Sequence, residues 1–285
     1  VRVVKVHVYY PAYDRHHRDV LEAFRDGVLA SGDEVDLVPA AAYDPQEPPD
    51  IAVTFGVFKR AIRQSEDRGR VIEGQKAAGK PWLVLETGYV KRDRYYAAGW
   101  EGLNGRANFR NRDMPADRWD LLEVELQPWR DPVEAGPILL CGQVPWDASV
   151  QDHEHRAWLE DIAQQIMARS GRELLFSPHP LGPMYTVAGL QCAPGRTLLE
   201  KARGCWCVVT FSSNSAVEAA IAGIPVFAFD EGSMALPVAN RSIANLDNPV
   251  TPDRTQWAHD LAYTQWTLEE FRAGLAWKHL TEERP

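Results

Sequence analysis

The sequence predicts an α/β protein of two Rossmann-like domains facing a central cleft, and three observations carry that expectation. Short β-branched or apolar runs alternate with helix-length segments, the rhythm of a doubly wound parallel sheet. The alternation stops in an irregular middle and starts again after residue 130. The 285 residues are enough for two cores of ordinary size. The domains are accordingly expected at residues 1–130 and 131–285.

In the first half, Val3–Tyr9 alternates and is broken by Pro11, so a buried strand is expected there. Leu21, Phe24, Val28 and Leu29 share one face of a helix expected over His17–Ser31, with Gly32 as its stop. Short strands are expected at Val35–Val38 and Ile51–Phe55, separated by a loop rich in proline. A polar helix over residues 66–79 leads to a strand at Pro81–Leu85. From Glu86 to about Pro132 the chain is rich in Arg, Asn, Gly and Trp and is expected as loop and insertion.

The second half opens with a strand at Pro137–Cys141 and a turn at Gly142-Gln143. A helix over His153–Ala168 carries Trp158, Ile162 and Ile166 in register. Strands at Glu173–Phe176, Trp206–Phe211 and Pro225–Phe229 alternate with helices at Leu198–Ala202 and Ser215–Ala222. Two tail helices follow, near Arg254–Tyr263 and after Thr267, where Thr267 and Glu270 have capping-box spacing. Trp257, Trp266 and Trp277 are expected in the core.

Composition narrows the function classes. Apolar content of 45% and charged content of 25% are those of a soluble globular protein. No run of apolar residues has the length of a membrane span. A net charge of −9 argues against non-specific coating of nucleic acid, though it leaves room for a local basic patch. The four cysteines lack metal-ligand spacing, and no Asp-x-Asp pair is present for a divalent metal. Few cysteines and a start without an h-region lead to the expectation of a cytoplasmic protein, of a bacterium or of a phage-infected host.

The chemistry is expected at strand ends. Thr210-Phe-Ser-Ser-Asn-Ser closes one strand with Ser212, Ser213, Asn214 and Ser215 and opens a helix of small residues. Ser215 and Glu218 have capping-box spacing, and the helix start together with these hydroxyls is expected to bind an anion. A well-capped core helix is the plainer reading. One strand earlier, Ser177-Pro178-His179-Pro180 locks an imidazole between two prolines. Such a ring is pre-aimed as a donor to a phosphate oxygen, with a structural turn as the alternative. Gly142, Gln143 and Asp147 occupy a third strand end, and Glu231-Gly232-Ser233 a fourth.

The His-Pro pair followed by the serine cluster and Gly223-Ile-Pro-Val226 resembles the donor site of GT-B glycosyltransferases, specifically bacterial polysialyltransferases and capsular Kdo transferases. The similarity covers roughly residues 137–230. It implies a nucleotide-sugar donor, expected as UDP- or CMP-linked; with no Asp-x-Asp pair in the sequence, neither a metal nor a tightly bound cofactor is expected. It also implies that His179 of the His179-Pro180 pair, with Ser212 and Ser213, grips the donor phosphate; from their places at the strand end and the helix start, Gly142, Gln143, Asn214, Ser215 and Glu218 are expected around it. The family carries an acidic-acidic-Gly motif after a strand of the first domain, where one carboxylate is the general base. Here that place reads Glu86-Thr87-Gly88, so Thr87 departs from the pattern and Glu86 alone remains as the base. In GT-B enzymes the C-terminal helix commonly returns to the first domain, which this tail is able to do.

Residues 91–113 hold six basic side chains against three acidic ones, Asp93, Glu101 and Asp113. Tyr89, Arg92, Arg94, Trp100, Asn104, Arg106 and Arg110 together suit an acceptor with phosphates and flat rings. A solvated face with a packed Trp beneath it is the plainer reading. The Gly99-to-Arg106 stretch is also similar to bacteriophage-type proteins associated with modified DNA. Duplex DNA bearing a hydroxymethylated pyrimidine is therefore the expected acceptor. Transfer to a surface polysaccharide or glycolipid, nucleotide-sugar epimerisation or hydrolysis, and non-catalytic phosphate binding stand as alternatives.

Overall fold

A computed structural model describes residues 4–11, 15–59, 65–130, 136–150, 152–181 and 186–282. The chain divides into two units, Val1–Arg118 with Asp260–Pro285, and Trp119–His259.

The first unit begins with β1 (Lys5–Tyr10), α1 (Arg15–Ala30), β2 (Glu34–Pro39), β3 (Ile51–Phe55), α2 (Glu66–Ala77), β4 (Trp82–Thr87) and β5 (Tyr96–Trp100). A short helix, α3 (Asp117–Leu121), contains the crossing into the second unit. There follow β6 (Ile138–Cys141), α4 (His155–Arg169), β7 (Leu174–Ser177), β8 (Gln191–Cys192), α5 (Leu198–Lys201), β9 (Cys207–Thr210), α6 (Ser215–Ile221) and β10 (Val226–Ala228). Helix α7 (Thr255–Ala262) contains the return crossing, and β11 (Gln265–Trp266), α8 (Leu268–Arg272) and α9 (Leu275–Thr281) complete the first unit.

The first sheet has the order β11-β5-β4-β3-β1-β2. Strands β1 to β4 are parallel, while β5 runs antiparallel to β4 and β11 antiparallel to β5. Because side chains alternate across a strand, Val6 and Val8 join Phe24, Val28, Phe271 and Trp277 in one core. Tyr9 joins Tyr43, Ala52 and Val71 in another. Leu29, expected on the inner face of α1, is exposed. The second sheet is parallel throughout, in the order β10-β9-β6-β7-β8. Its core gathers Ile138, Leu140, Ile162, Ile166, Phe176, Val209 and Phe227.

The residues from Glu86 onward are more ordered than expected. Strand β5 pairs with β4 from Thr87↔Tyr96 to Leu83↔Trp100. Its Tyr-Ala-Ala-Gly-Trp sequence has too few β-branched residues to announce a strand. The two-residue strands β8 and β11 are likewise too short for any periodicity.

The expected boundary, with residues 131–285 as one domain, requires correction: residues 260–285 belong to the first unit. Arg118 holds them there. Its guanidinium pairs with both oxygens of Glu270 at 2.7 and 3.2 Å, donates to the Gln265 carbonyl and lies 3.8 Å from the centre of the Trp266 ring. The Thr267–Glu270 capping box forms as expected and starts α8. Trp257, Trp266 and Trp277 are buried. Helix α1 crosses the tail at Gly27, where an added Cβ would stand 1.8 Å from the Phe271 carbonyl oxygen and 2.9 Å from the Gly274 Cα. Both obstacles are backbone. Gly27→Ala is expected to destabilise the protein by about 3 kcal/mol, measured as a fall in the urea midpoint with unchanged slope.

Candidate functional site

Every strand of the second sheet is parallel, so all carboxyl ends reach the same edge. Cys141 pairs in register with Thr210 on one side and Ser177 on the other. Gln143, Ser212 and His179 each lie two residues beyond that row. The sheet thus sets three of the expected site residues at one level, on neighbouring strands.

Gln143 ties two of these ends together. Its Oε1 accepts the Ser212 N–H at 2.9 Å, and its Nε2 donates to the Ser212 hydroxyl at 3.1 Å and the Ser149 hydroxyl at 3.1 Å. Asp147 receives the Ser149 hydroxyl at 2.7 Å. The Gln143 N–H donates to His155 Nε2 at 3.1 Å, so His155 is neutral with its proton on Nδ1. Burial lowers the His155 pKa to about 4, helped by His153. The ring stacks on Trp158 and meets the edge of Phe211.

Ser212 is buried and committed to Gln143. Ser213 and Ser215 are half-buried; the Ser213 hydroxyl donates to the Ser215 hydroxyl at 3.1 Å and receives the Ser215 N–H at 3.2 Å. The expected capping box does not form. Asn214 is the N-cap, Ser215 is already helical, and Glu218 is exposed with Asn214 Nδ2 at 3.4 Å. Nor does α6 offer orphan amides. The N–H groups of Ser215, Ala216 and Val217 go to the Ser213 hydroxyl, the Ser213 carbonyl and the Asn214 carbonyl. The bonds to the Ser213 and Asn214 carbonyls span three residues, which tightens the first turn and consumes the donors. Hydroxyls, rather than helix amides, are what this turn presents.

His179 is half-buried, and its Nδ1 accepts the Leu181 N–H at 3.1 Å. That bond places the neutral ring's proton on Nε2, making it a donor. Pro180 is exposed. Gly142 continues the ladder through its N–H to the Ser177 carbonyl. On the next carboxyl end, Asp230 receives the Gly232 N–H at 2.8 Å and Glu231 is exposed.

In the first unit Glu86 lies at the carboxyl end of β4, with Oε1 accepting the Thr87 N–H at 2.9 Å. Beside it, Gly56 has φ +68°; a Cβ there would stand 3.0 Å from Arg68 Nη1 and 3.5 Å from Glu86 Oε2. Glycine thus keeps open a space bordered by a carboxylate and a buried guanidinium, which itself donates to the Phe55 carbonyl at 2.5 Å. Gln265 of the tail secures the following loop, accepting the N–H groups of Tyr89 and Val90 and donating to the Val90 carbonyl.

Of the two aromatics in the expected acceptor patch, Tyr89 is buried and Trp100 is half-buried. The Tyr89 hydroxyl donates to Asn104 Oδ1 at 3.1 Å, and burial raises its pKa. Trp100 gives its indole N–H to the Leu280 carbonyl and packs on Trp277. Asn104 serves Tyr89 from a left-handed conformation. Arg92, Arg94, Arg106 and Arg110 are exposed, and Arg110 donates to the Glu282 carbonyl at 3.2 Å. A buried ring has no face to offer a base.

Similarity to solved structures points to one architecture. KpsC of Thermosulfurimonas dismutans, in a structure described as a β-Kdo 2,7 transferase, superposes with a TM-score of 0.58 at 14% identity, covering 95% of this chain and 98% of that one. A second KpsC structure from that organism, a β-Kdo 2,4 transferase, gives 0.55 at 15% identity over 92% and 91%. The fold is GT-B. No protein-family model matches the sequence, and no curated protein does. Among the described residues no helix is long and apolar enough to cross a membrane, and no group of three His, Cys, Asp or Glu is placed to hold a metal.

Several residues of this GT-B chain carried no motif that would single them out. His155, Ser149, Arg68 and Gln265 support the site from elsewhere in the sequence, and Lys201 reaches the edge with its Nζ 3.1 Å from the Ser177 hydroxyl. Only His155 had a signal, as a histidine at the start of an apolar helix.

Two outcomes are expected. Gln143→Leu leaves the Ser212 N–H buried without its partner and should cost about 1–3 kcal/mol, read by chemical denaturation. The folded pKa of His155, about 4, lies below its unfolded value near 6.5. Above 6.5 the ring is neutral in both states; below it the unfolded chain takes up the proton first, so stability falls as pH drops from 6.5 towards 4. His155→Gln, which keeps an acceptor without titrating, should flatten that fall in thermal scans across this range.

Proposed function

We propose that this protein is a nucleotide-sugar-dependent glycosyltransferase acting on a hydroxyl acceptor. The observation that carries the reading is the common level of Gln143, Ser212 and His179 beyond the parallel edge of β6, β9 and β7. Strands β9 and β7 flank β6, so their ends are about 10 Å apart. A nucleotide's phosphate and ribose bridge that span.

In this mechanism the donor's phosphate meets His179 Nε2–H and the hydroxyls of Ser213 and Ser215, while the Gln143–Ser212 clasp holds the turn. The acceptor oxygen bonds to the anomeric carbon, and its proton passes to the Glu86 carboxylate. The bond between the anomeric carbon and the phosphate oxygen breaks, leaving the electron pair on the phosphate. Donors already aimed at that oxygen stabilise the charge as it develops. The donor is UDP- or CMP-linked, and epimerisation of the same donor is the rival chemistry.

The acceptor reading changes with the burial of Tyr89 and the half-burial of Trp100. A hydroxymethylated pyrimidine in duplex DNA would meet Arg92, Arg94, Arg106 and Arg110 through its phosphates but, among the seven expected residues, only the half-buried ring of Trp100. A glycan hydroxyl needs no such ring. Transfer to DNA falls steeply with rising salt, whereas transfer to a neutral glycan barely responds; absence of duplex binding at low salt eliminates the DNA acceptor.

Glu86→Gln is expected to bind donor normally and lose turnover by at least about a hundredfold. A variant that keeps its rate assigns Glu86 a structural role. His179→Ala should weaken nucleotide binding by about 1.5–3 kcal/mol in calorimetry, and unchanged affinity removes the imidazole from the site.

A further inference from the structure

Lys201 lies outside every motif of the sequence, yet its ammonium reaches the edge where the donor phosphate is placed. Its backbone is firmly held: it ends α5, the Ala202 N–H returns to the Leu198 carbonyl at 2.8 Å, and its own carbonyl receives the Cys205 thiol at 3.3 Å. From there Nζ donates to the Ser177 hydroxyl at 3.1 Å. Ser177 is buried, and it is the β7 member of the last register row, two residues before His179.

The acids nearby are engaged elsewhere. Glu200 closes the α5 capping box with Thr197 and accepts the Arg196 N–H at 2.7 Å, bonds that lower its pKa. Glu218 is exposed and meets Asn214. Among the described residues the Lys201 ammonium has the Ser177 hydroxyl as its side-chain partner and no carboxylate within 4 Å. An ammonium has three donors, and a neutral hydroxyl balances none of its charge.

Burial raises the pKa of the Cys141 thiol to about 12, while Ser215 and the Lys201 charge act in the opposite direction. Cys141 stands in register between Ser177 and Thr210. The cation is bonded to the strand end that leads into His179, on the strand next to the one carrying Cys141.

We propose that the Lys201 ammonium contacts a phosphate oxygen of the nucleotide donor and neutralises the charge left there when the glycosyl group departs. This rests on the transferase reading above. The anion supplies the countercharge that the protein does not, and Lys201 adds a full positive charge where His179 and the serines offer only hydrogen bonds.

The test is titration calorimetry of wild type, Lys201→Met, Lys201→Arg and His179→Ala with UDP and with CMP, at low and high salt, alongside thermal unfolding of each. Lys201→Met should bind the preferred nucleotide roughly ten- to a hundredfold more weakly and lose most of the salt dependence. Lys201→Arg should retain most of both. If Lys201→Met keeps wild-type affinity and salt slope while His179→Ala loses binding, the role of Lys201 is overturned and the transferase reading stays intact. Lys201 is equally removed from the site if Lys201→Met lowers only the melting temperature. If the wild type binds neither nucleotide, the donor-site reading fails and this one with it.

Discussion

One side-chain amide organises the candidate donor edge. Gln143 leaves β6 and satisfies both the backbone and the hydroxyl of Ser212 at the end of β9, so two strands are cross-linked just where their ladder stops. Buried polar groups of this kind are costly when unpaired and specific when paired. His155 extends the arrangement by accepting the Gln143 N–H, and that role requires an imidazole kept neutral by its apolar surroundings. Geometry at the edge thus depends on a small polar network fixed from inside the fold, with Ser149 and Asp147 as its outer members.

The first unit solves a comparable problem with its own tail. The loop after Glu86 has no regular structure to hold it, and Gln265 supplies three hydrogen bonds to Tyr89 and Val90. Arg118 and the close crossing at Gly27 fix the tail that carries Gln265. Glu86 is consequently positioned by residues far away in sequence. The loop that follows the Glu-Thr-Gly motif therefore depends on packing around β11 and α8 as much as on its own sequence.

The sequence made visible whatever rests on local periodicity. The parallel strands, the helices between them and the capping box at Thr267 occur within a residue or two of their expected places. Strand β5 stayed hidden because Ala97, Ala98 and Gly99 lack β-branched side chains, and its identity comes from pairing with β4. Helix α6 begins where expected, but spacing alone points to Ser215 as its cap; whether a serine sits at the cap or one residue inside is decided by backbone dihedrals that spacing does not encode. The arginines around Tyr89 and Trp100 make those rings look exposed in the sequence. Five non-glycine residues from Lys91 to Asp113 adopt the left-handed region, and Tyr89 is buried, Trp100 half-buried and the four arginines exposed. Lys201 and Arg68 had no local signal at all, since each acts through a contact made only in three dimensions.

Prior satisfaction of the turn's donors bears on how such an edge can hold a phosphate. The Ser212 hydroxyl is tied to Gln143, Ser213 and Ser215 are tied to each other, and the first amides of α6 are used within the turn. A ligand arriving there exchanges hydrogen bonds instead of filling empty ones, and an exchanged neutral bond contributes only about 0.5–1.5 kcal/mol. Affinity for an anion must then come mainly from charge and from donors pointed outward. On this edge the charge is the ammonium of Lys201, bonded to the Ser177 hydroxyl two residues before His179. The serine cluster, the most conspicuous motif in the sequence, is thus the part that shapes the turn, and on the proposed reading the less conspicuous cation would supply the larger electrostatic share of holding a phosphate.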